Sequence, residues 1–386
     1  MKIRIEKDKL ADAVAWVAKS LPARPTVPIL AGLLIATDGD AVRLSTFDYE
    51  TSAQLTLPAQ VFEEGQALVS GKLLDAIAKQ LPDQPVTITS DETKAELVCG
   101  SARFTLQALP VNDYPQLPHM PEATGTVTSD DFAKAVTQVV TAAGKDELLP
   151  VYTGVRLEID GDTLSLLATD RYRMALRELP WKLNNKTGDG AAIVPARVLS
   201  ETARSMASGE RITLSLSGSS TGEGLIGFEG QGGGVTRQLT TRLLDGEFPK
   251  FRHLMDVRAN VAVRIKTDEL ISSVTRVSIV AERNTALRMM IDDGQVSLDA
   301  ATGDQAQASE AIEALVEVDA ETDPPINAVG FNPHYLLDAL KALDTPYVHF
   351  SFTAPSQPCL VRGLANIDAD PENEYRHVIM LMRLPA

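Results

Sequence analysis

The chain has 386 residues, enough for two or three domains, and its 44% apolar and 23% charged content excludes a disordered or fibrous protein. Its 36 basic residues stand against 52 acidic ones, a net charge of −16 that excludes coating nucleic acid with a broadly basic surface. Two cysteines, Cys99 and Cys359, are too few for a disulfide framework or a cysteine metal site and read as thiols of a reducing compartment. The opening MKIRIEKDKLADAV has no secretory apolar run, and no segment approaches the roughly 18 apolar residues of a spanning helix, so a cytoplasmic protein without membrane contact is expected.

In chain order, the first signal is DKLADAVAWVAKSL from Asp8, where Leu10, Val14, Val17 and Leu21 fall on one stripe of an α-helix. Alternation in AVRLSTFD (Ala41 to Asp48) predicts a strand that ends in an Asp-containing turn. A second helix follows in VSGKLLDAIAKQL from Val69, with Leu74, Ala78 and Leu81 on its apolar face. The strand PVTITSD and an acid–aromatic pair, Asp113–Tyr114, come next.

The same order then returns twice. DDFAKAVTQVV (Phe132, Val136, Val139), TLSLLATD ending at Asp170, VPARVLSETARSM (Leu199, Ala203, Met206), RITLSLSG and Glu247–Phe248 form the second copy. The third is DELISSVTRVSIV (Leu270, Val274, Val277), QVSLDAATGD ending at Asp304, FNPHYLLDALKAL (Leu336, Leu340, Leu343), YVHFSFT and Glu374–Tyr375. A period of roughly 120–140 residues is far longer than a solenoid unit, so the repeats are whole domains. Three homologous domains, 1–125, 126–257 and 258–386, are therefore predicted, each with two helices packed on antiparallel sheet, an α+β design.

Catalytic constellations are missing from the sequence. The histidines never fall at HxxxH or HExxH spacing, and no Walker-type loop occurs. The one GxGxxG, at Gly222, Gly224 and Gly227, is flanked by alternating, glycine-rich sequence and reads as hairpin turns rather than a dinucleotide site. Asp170 and Asp304 are conceivable hydrolase carboxylates, but both share their repeat position with Asp48, and one turn-forming role explains all three.

Read together, TFDYE at Thr46, ATDRYRMA at Ala168, DGEFPKF at Asp245, FNPHYLLDAL at Phe331 and MLMRL at Met380 closely resemble the bacterial sliding clamps, the β subunits of DNA polymerase III. The resemblance also takes in RPTVPIL from Arg24 and covers essentially the whole chain. It implies a non-enzymatic processivity factor without cofactor: a head-to-tail homodimer closed into a ring around duplex DNA, with helices lining the hole. An ATP-driven clamp loader opens the ring, and the DNA polymerase III catalytic subunit, other polymerases and repair proteins dock through short peptides.

The resemblance assigns Phe104 and Leu106, with Ile279 and Val280, to the two sides of the dimer interface. It places Arg24 at DNA, and Lys72, Lys79, Arg197, Arg204 and Lys341 are the helix bases expected to face it. The six helix segments hold eleven bases, Arg283 among them, against ten acids, a sum of +1 that leaves −17 on the remainder. Such a lining attracts phosphates without gripping them. The peptide cleft is assigned to Tyr152, Thr153, Thr169, Arg171, Tyr172, Arg173, Met174, Pro249, Leu254, Asn332, Tyr335, Val378, Met380, Leu381, Met382, Arg383 and Leu384. Exposed methionines suit an adaptable apolar surface, and Arg173 and Arg383 suit the peptide's polar groups or chain end. HVIMLMRL also reads as an edge strand with one buried face. Two departures bear on specificity: Leu381 replaces the family's usual proline, before a terminal Pro385–Ala386, and Arg171–Tyr172 replaces its usual Gly-His. A three-domain scaffold that never meets DNA is the alternative reading.

Overall fold

The computed structural model describes residues 1–184, 190–217, 224–256, 259–282, 285–302, 305–319 and 326–384. Asp304, Gly222, Arg283, Pro385 and Ala386 lie outside the described residues. Among the described residues there are six α-helices: α1 (Lys7–Ala18), α2 (Gly71–Gln80), α3 (Ser129–Val140), α4 (Ala196–Met206), α5 (Thr267–Val277) and α6 (Pro333–Leu343). Apart from Leu21, which is half-buried, every stripe residue named above is buried, from Leu10, Val14 and Val17 on α1 to Leu336, Leu340 and Leu343 on α6. Periodicity at 3.6 residues translated directly into burial because each helix lays one face on a sheet.

Four sheets of antiparallel strands carry these helices. A five-stranded sheet runs Gln60–Glu63, Lys2–Ile5, Val86–Ser90, Lys94–Cys99, Ala102–Gln107. A four-stranded one runs Ala306–Glu313, Gln295–Thr302, Leu287–Asp292, Ala328–Phe331. The other two sheets have nine strands each and cross the sequence repeats. In one, Val235–Arg242 of the second repeat pairs with Thr51–Pro58 of the first, where the Ser52 and Thr240 hydroxyls meet at 2.7 Å. In the other, Arg173–Pro180 of the second repeat pairs with Tyr375–Ile379 of the third, Arg173 opposite Ile379 through Arg177 opposite Tyr375.

Contacts accordingly gather into two compact units that do not coincide with the repeats. One comprises 1–133, 181–188 and 198–243, the other 134–180, 189–197 and 244–386, so the second repeat contributes to both. The chain's last strand, Tyr375–Ile379, is flanked on both sides, by Arg173–Pro180 and by Cys359–Leu364. It is an interior strand rather than the edge strand read from the apolar alternation of HVIMLMRL. Its alternating faces are both covered, and Tyr375, His377, Val378 and Ile379 are buried.

The acid–aromatic pairs turn out to be core anchors. The Tyr114 hydroxyl accepts from the Phe47 amide at 2.9 Å, and burial pushes this phenol up to about 12. Phe248 and Tyr375 are likewise buried. The Tyr375 hydroxyl lies 2.9 Å from His377 Nδ1 and donates to the Gln138 carbonyl at 3.3 Å. Burial, reinforced by the nearby Arg173 charge, lowers His377 to about 3. Buried His349 drops to about 4, mainly through desolvation and then through Arg362 and Arg264. Of the GEGLIG glycines, Gly227 lies within the strand Leu225–Gly232 and Gly224 just before it, in a meander with Arg211–Ser217 and Val235–Arg242 rather than between a strand and a helix.

Candidate functional site

The hairpin from Thr163–Thr169 to Arg173–Pro180 reverses on Asp170, whose Oδ1 accepts from the amides of Tyr172 and Arg173, both at 3.0 Å. The Thr169 hydroxyl donates to the Arg173 carbonyl at 2.7 Å and accepts from the Arg171 amide at 3.2 Å. This tight closure forces Arg171 to φ +79°, the left-handed region that favours glycine. The arginine there is held at some conformational cost.

Helix α6 approaches this turn with its N-terminus. Asn332 caps it, its Oδ1 accepting from His334 N at 3.0 Å and Tyr335 N at 3.3 Å, and Pro333 supplies a preset φ at the first position. Tyr335 and Asp338, one turn apart, thus face the hairpin. Arg173 is almost wholly buried between them: its Nε lies 3.0 Å from Asp170 Oδ2, its Nη1 lies 2.6 Å from Asp338 Oδ2, and its guanidinium sits 4.5 Å from the Tyr335 ring centroid. The sequence reading gave Arg173 to a bound peptide; both of the carboxylates it meets here are the chain's own, and through them it clamps hairpin to helix while still lining the cavity above. Burial and the Asp170 charge raise the Tyr335 phenol.

Above this clamp the rings continue as a stack. Tyr172 lies 6.3 Å from Tyr335 with planes 24° apart, and the Arg171 guanidinium is 5.8 Å from the ring centroids of both Tyr172 and Tyr152. The result is one wall of a cavity of about 720 Å³. Of the predicted cleft residues, Tyr152, Arg171, Tyr172, Arg173, Asn332 and Tyr335 line it. Lys145, Asp146, Leu149, His334 and Asp338 line it as well and escaped the sequence reading. Asp338 was within reach: three residues beyond Tyr335 on a helix, it had to share that face.

The remaining cleft residues divide. Met174 and Val378 belong to a buried apolar cluster with Leu167, Leu176, Ile193, Phe248, Met255 and Leu360, against which Leu254, Val151 and Leu244 pack half-buried. Thr153 closes a short 3-10 turn by donating to the Pro150 carbonyl at 2.8 Å, and half-buried Pro249 accepts from Phe251 N at 3.1 Å. Met380, 39% exposed, is tied to the hairpin by its amide on the Tyr172 carbonyl at 2.8 Å. Beyond half-buried Leu381 the chain turns away. The Met382 amide donates to the Gly330 carbonyl at 2.8 Å, an approach that only a glycine allows, since a Cβ at 330 would stand 2.7 Å from the Met382 carbonyl oxygen. Met382, Arg383 and Leu384 line a second cavity of about 690 Å³ on the face of the four-stranded sheet, beside Ala286, Arg288 and Asp299. Of the cleft residues read from the sequence, six therefore line the first cavity and three the second, on either side of Leu381 in the chain.

The expected DNA-facing bases are on α2, α4, α6 and the loop after α1. Lys72 Nζ donates to the Ala23 carbonyl at 3.2 Å, beside exposed Arg24. Lys79 pairs with Asp75 at 2.6 Å, and Arg204 Nε donates to the Ser200 carbonyl at 3.2 Å. Arg24, Arg197 and Lys341 are exposed and have no ion-pair partner among the described residues. Phe104, 36% exposed, and buried Leu106 lie on Ala102–Gln107, and Ile279, 80% exposed, lies with half-buried Val280 in the 3-10 turn after α5. Among the described residues, no group of His, Cys, Asp and Glu is placed to hold a metal, and no helix is long and apolar enough to cross a membrane.

Repeated two-helix domains on shared antiparallel sheets, with a peptide-sized cavity and a catalytic carboxylate candidate locked into a turn, define a protein that holds other molecules rather than transforms them. Family models agree in kind: the N-terminal, central and C-terminal domains of the DNA polymerase III beta subunit match residues 1–118, 126–250 and 254–383. The chain is 49% identical to the beta sliding clamp of Streptomyces coelicolor, over the whole of both chains, and 45% identical to that of Micrococcus luteus, over 82% of this chain and all of that one. The crystal structure of the Bacillus subtilis clamp superposes with a TM-score of 0.88 at 25% identity, covering 100% of each chain. A Pseudomonas aeruginosa clamp bound to griselimycin shows the same fold, with a TM-score of 0.87 at 24% identity and full coverage of both chains. The chain belongs to the DNA polymerase III beta subunit family and is a DNA sliding clamp, a non-catalytic processivity factor of replication with three clamp domains.

Proposed function

We propose that two copies close head to tail into a ring around duplex DNA in the cytoplasm, and that domain boundaries near 125 and 257 mark the repeating unit of that ring. The observation that carries this reading is a pair of unequal sheet edges. Among the described residues, Ala102–Gln107 pairs only with Lys94–Cys99, and Ala306–Glu313 only with Gln295–Thr302. Unpaired edges of six and eight residues are templates for another strand, and soluble proteins rarely leave them bare. Their side-chain charges differ in sign: Arg103, ion-paired with Glu96, is the charge on the first, and Glu310, ion-paired with Arg276, and Glu313 are those on the second. Opposite signs favour a heterologous pairing over either edge meeting itself. Phe104, on the first edge strand and 36% exposed, and Ile279, near the second and 80% exposed, offer apolar surface to cover, worth up to about 1.5–3 kcal/mol for Ile279 and about a third of that for Phe104.

Within the ring, Arg24, Lys72, Lys79, Arg197, Arg204 and Lys341 face the DNA, and the 720 Å³ cavity with its neighbouring apolar cluster seats short peptides of the polymerase, the clamp loader and repair proteins. The tether supplies effective concentration, not chemistry. The test is to load the protein with a clamp loader and ATP onto nicked circular DNA and then cut the circle. Retention before cutting and release after it support the ring; equal release from intact circles, with an active loader, removes it.

A further inference from the structure

Resting on that peptide-site reading, we propose that Arg171 makes the cavity select peptides that carry a carboxylate. Among the other charged groups of the lining, Arg173 is shared between Asp170 and Asp338, Asp146 accepts from the Leu148 amide at 3.0 Å, and exposed Lys145 is a second cation on a flexible stem. Arg171 has no ion pair and its guanidinium makes no hydrogen bond to a protein acceptor among the described residues. Its guanidinium carbon lies 5.8 Å from the ring centroids of both Tyr152 and Tyr172. A guanidinium placed beside two rings but bonded to no protein acceptor keeps its planar fork of N–H groups for a carboxylate, which it can grip bidentately.

The backbone argues against a merely structural arginine. At φ +79° the position favours glycine, and the turn's hydrogen bonds use the Arg171 amide and not its side chain. The equivalent turn at Asp48 forms with Tyr49 at φ +75°, so the reversal itself needs no cation. Of the two cations in this lining that have no ion pair among the described residues, Lys145 and Arg171, only Arg171 carries the planar fork that takes a carboxylate bidentately.

The experiment uses the full-length protein and synthetic acetylated pentapeptides with three Leu or Phe residues and one scanned position. One series, amidated at the C-terminus, carries Asp, Asn or Lys at that position; a second keeps Asn and frees the chain-end carboxylate. Fluorescence anisotropy gives the affinity ratios. The proposal expects one series to show a preference for the carboxylate of about tenfold over its neutral partner, and the series that does so identifies side chain or chain end. Arg171→Gly, which suits the positive φ and so folds, should reduce that ratio below twofold, and Arg171→Lys should keep only part of it. Tyr152→Ala, which removes one of the two rings beside the guanidinium, should lower the ratio without abolishing it. Equal affinity for charged and neutral peptides in the wild type, or a preference that survives Arg171→Gly, overturns the proposal while leaving the peptide site standing. Failure of every peptide to bind removes the site and the inference together.

Discussion

The turns at Asp48 and Asp170 share their hydrogen bonds nearly atom for atom. Each Oδ1 accepts from the amides two and three residues on, at 3.0 and 2.7 Å in the first and 3.0 Å for both in the second. Each following residue has a positive φ, +75° for Tyr49 and +79° for Arg171. What differs is the cargo. In the first turn the third residue is Thr51, whose hydroxyl meets that of Thr241, and the Tyr49 ring leans on Phe47 at 5.6 Å. In the second it is Arg173, locked to two carboxylates, and the residues between carry the stacked wall of a cavity. Repetition fixed the backbone chemistry, and divergence of three side chains made one copy a site.

The comparison breaks hardest at the aspartates. Asp170→Ala removes two amide acceptors and also strips Arg173 of one partner while the guanidinium stays buried, so it should cost about 3–5 kcal/mol. Asp48→Ala loses the acceptor of two amides alone, with no buried cation left behind, and should cost about 1–2 kcal/mol. Since the chain has two units, one melting temperature is a poor reporter. Amide exchange of residues 163–180 and 41–58 in the two variants measures each loss locally. Equal losses would show that the Arg173 clamp adds nothing.

Acid should separate the same regions. His377 and His349 both lie in the unit that contains the Asp170 turn, with folded values lowered to about 3 and about 4. Between pH 6.5 and those values the unfolded chain binds protons that the folded one refuses, so stability is full above pH 6.5 and is lost as pH falls. The limit is about 1.4 kcal/mol per pH unit for each histidine. Exchange protection around 375–379 should therefore decline from pH 6.5 to 4.5 before that around 41–58, and His377→Phe should flatten the decline. A pH-independent ratio of the two protections would contradict the assignment.

How far the sequence revealed these features follows from their range. The helix faces were legible because residues three and four apart report on one another, and the Asp turns because an Asp followed by a reversal is local chemistry. The seam between Arg173–Pro180 and Tyr375–Ile379 joins residues about 200 apart, and nothing in either strand names its partner. The clamp on Arg173 failed for the same reason: TDRYRM announces a basic residue but not the Asp338 carboxylate waiting on another repeat. The division at Leu381 depends on Gly330, a glycine whose lack of a side chain matters only once the tail is known to cross it.

The finest distinction lies in the residues at positive φ. Glycine relieves a left-handed L-residue of about 1–2 kcal/mol but gives back roughly 0.5–1 kcal/mol through its looser unfolded chain, a net gain under about 1 kcal/mol. At Tyr49 that gain is set against one tilted aromatic contact worth about 0.5–1 kcal/mol, so Tyr49→Gly should be nearly neutral. At Arg171 it is set against two cation–π contacts of about 0.5–1 kcal/mol each, so Arg171→Gly should be mildly destabilising, by up to about 1 kcal/mol. Amide exchange of 163–180 in Arg171→Gly and in the double variant with Tyr152→Ala decides between strain and stacking. If the glycine stabilises the hairpin even with Tyr152 in place, the arginine is held there against the fold's own preference, and its retention has to be explained by what it binds.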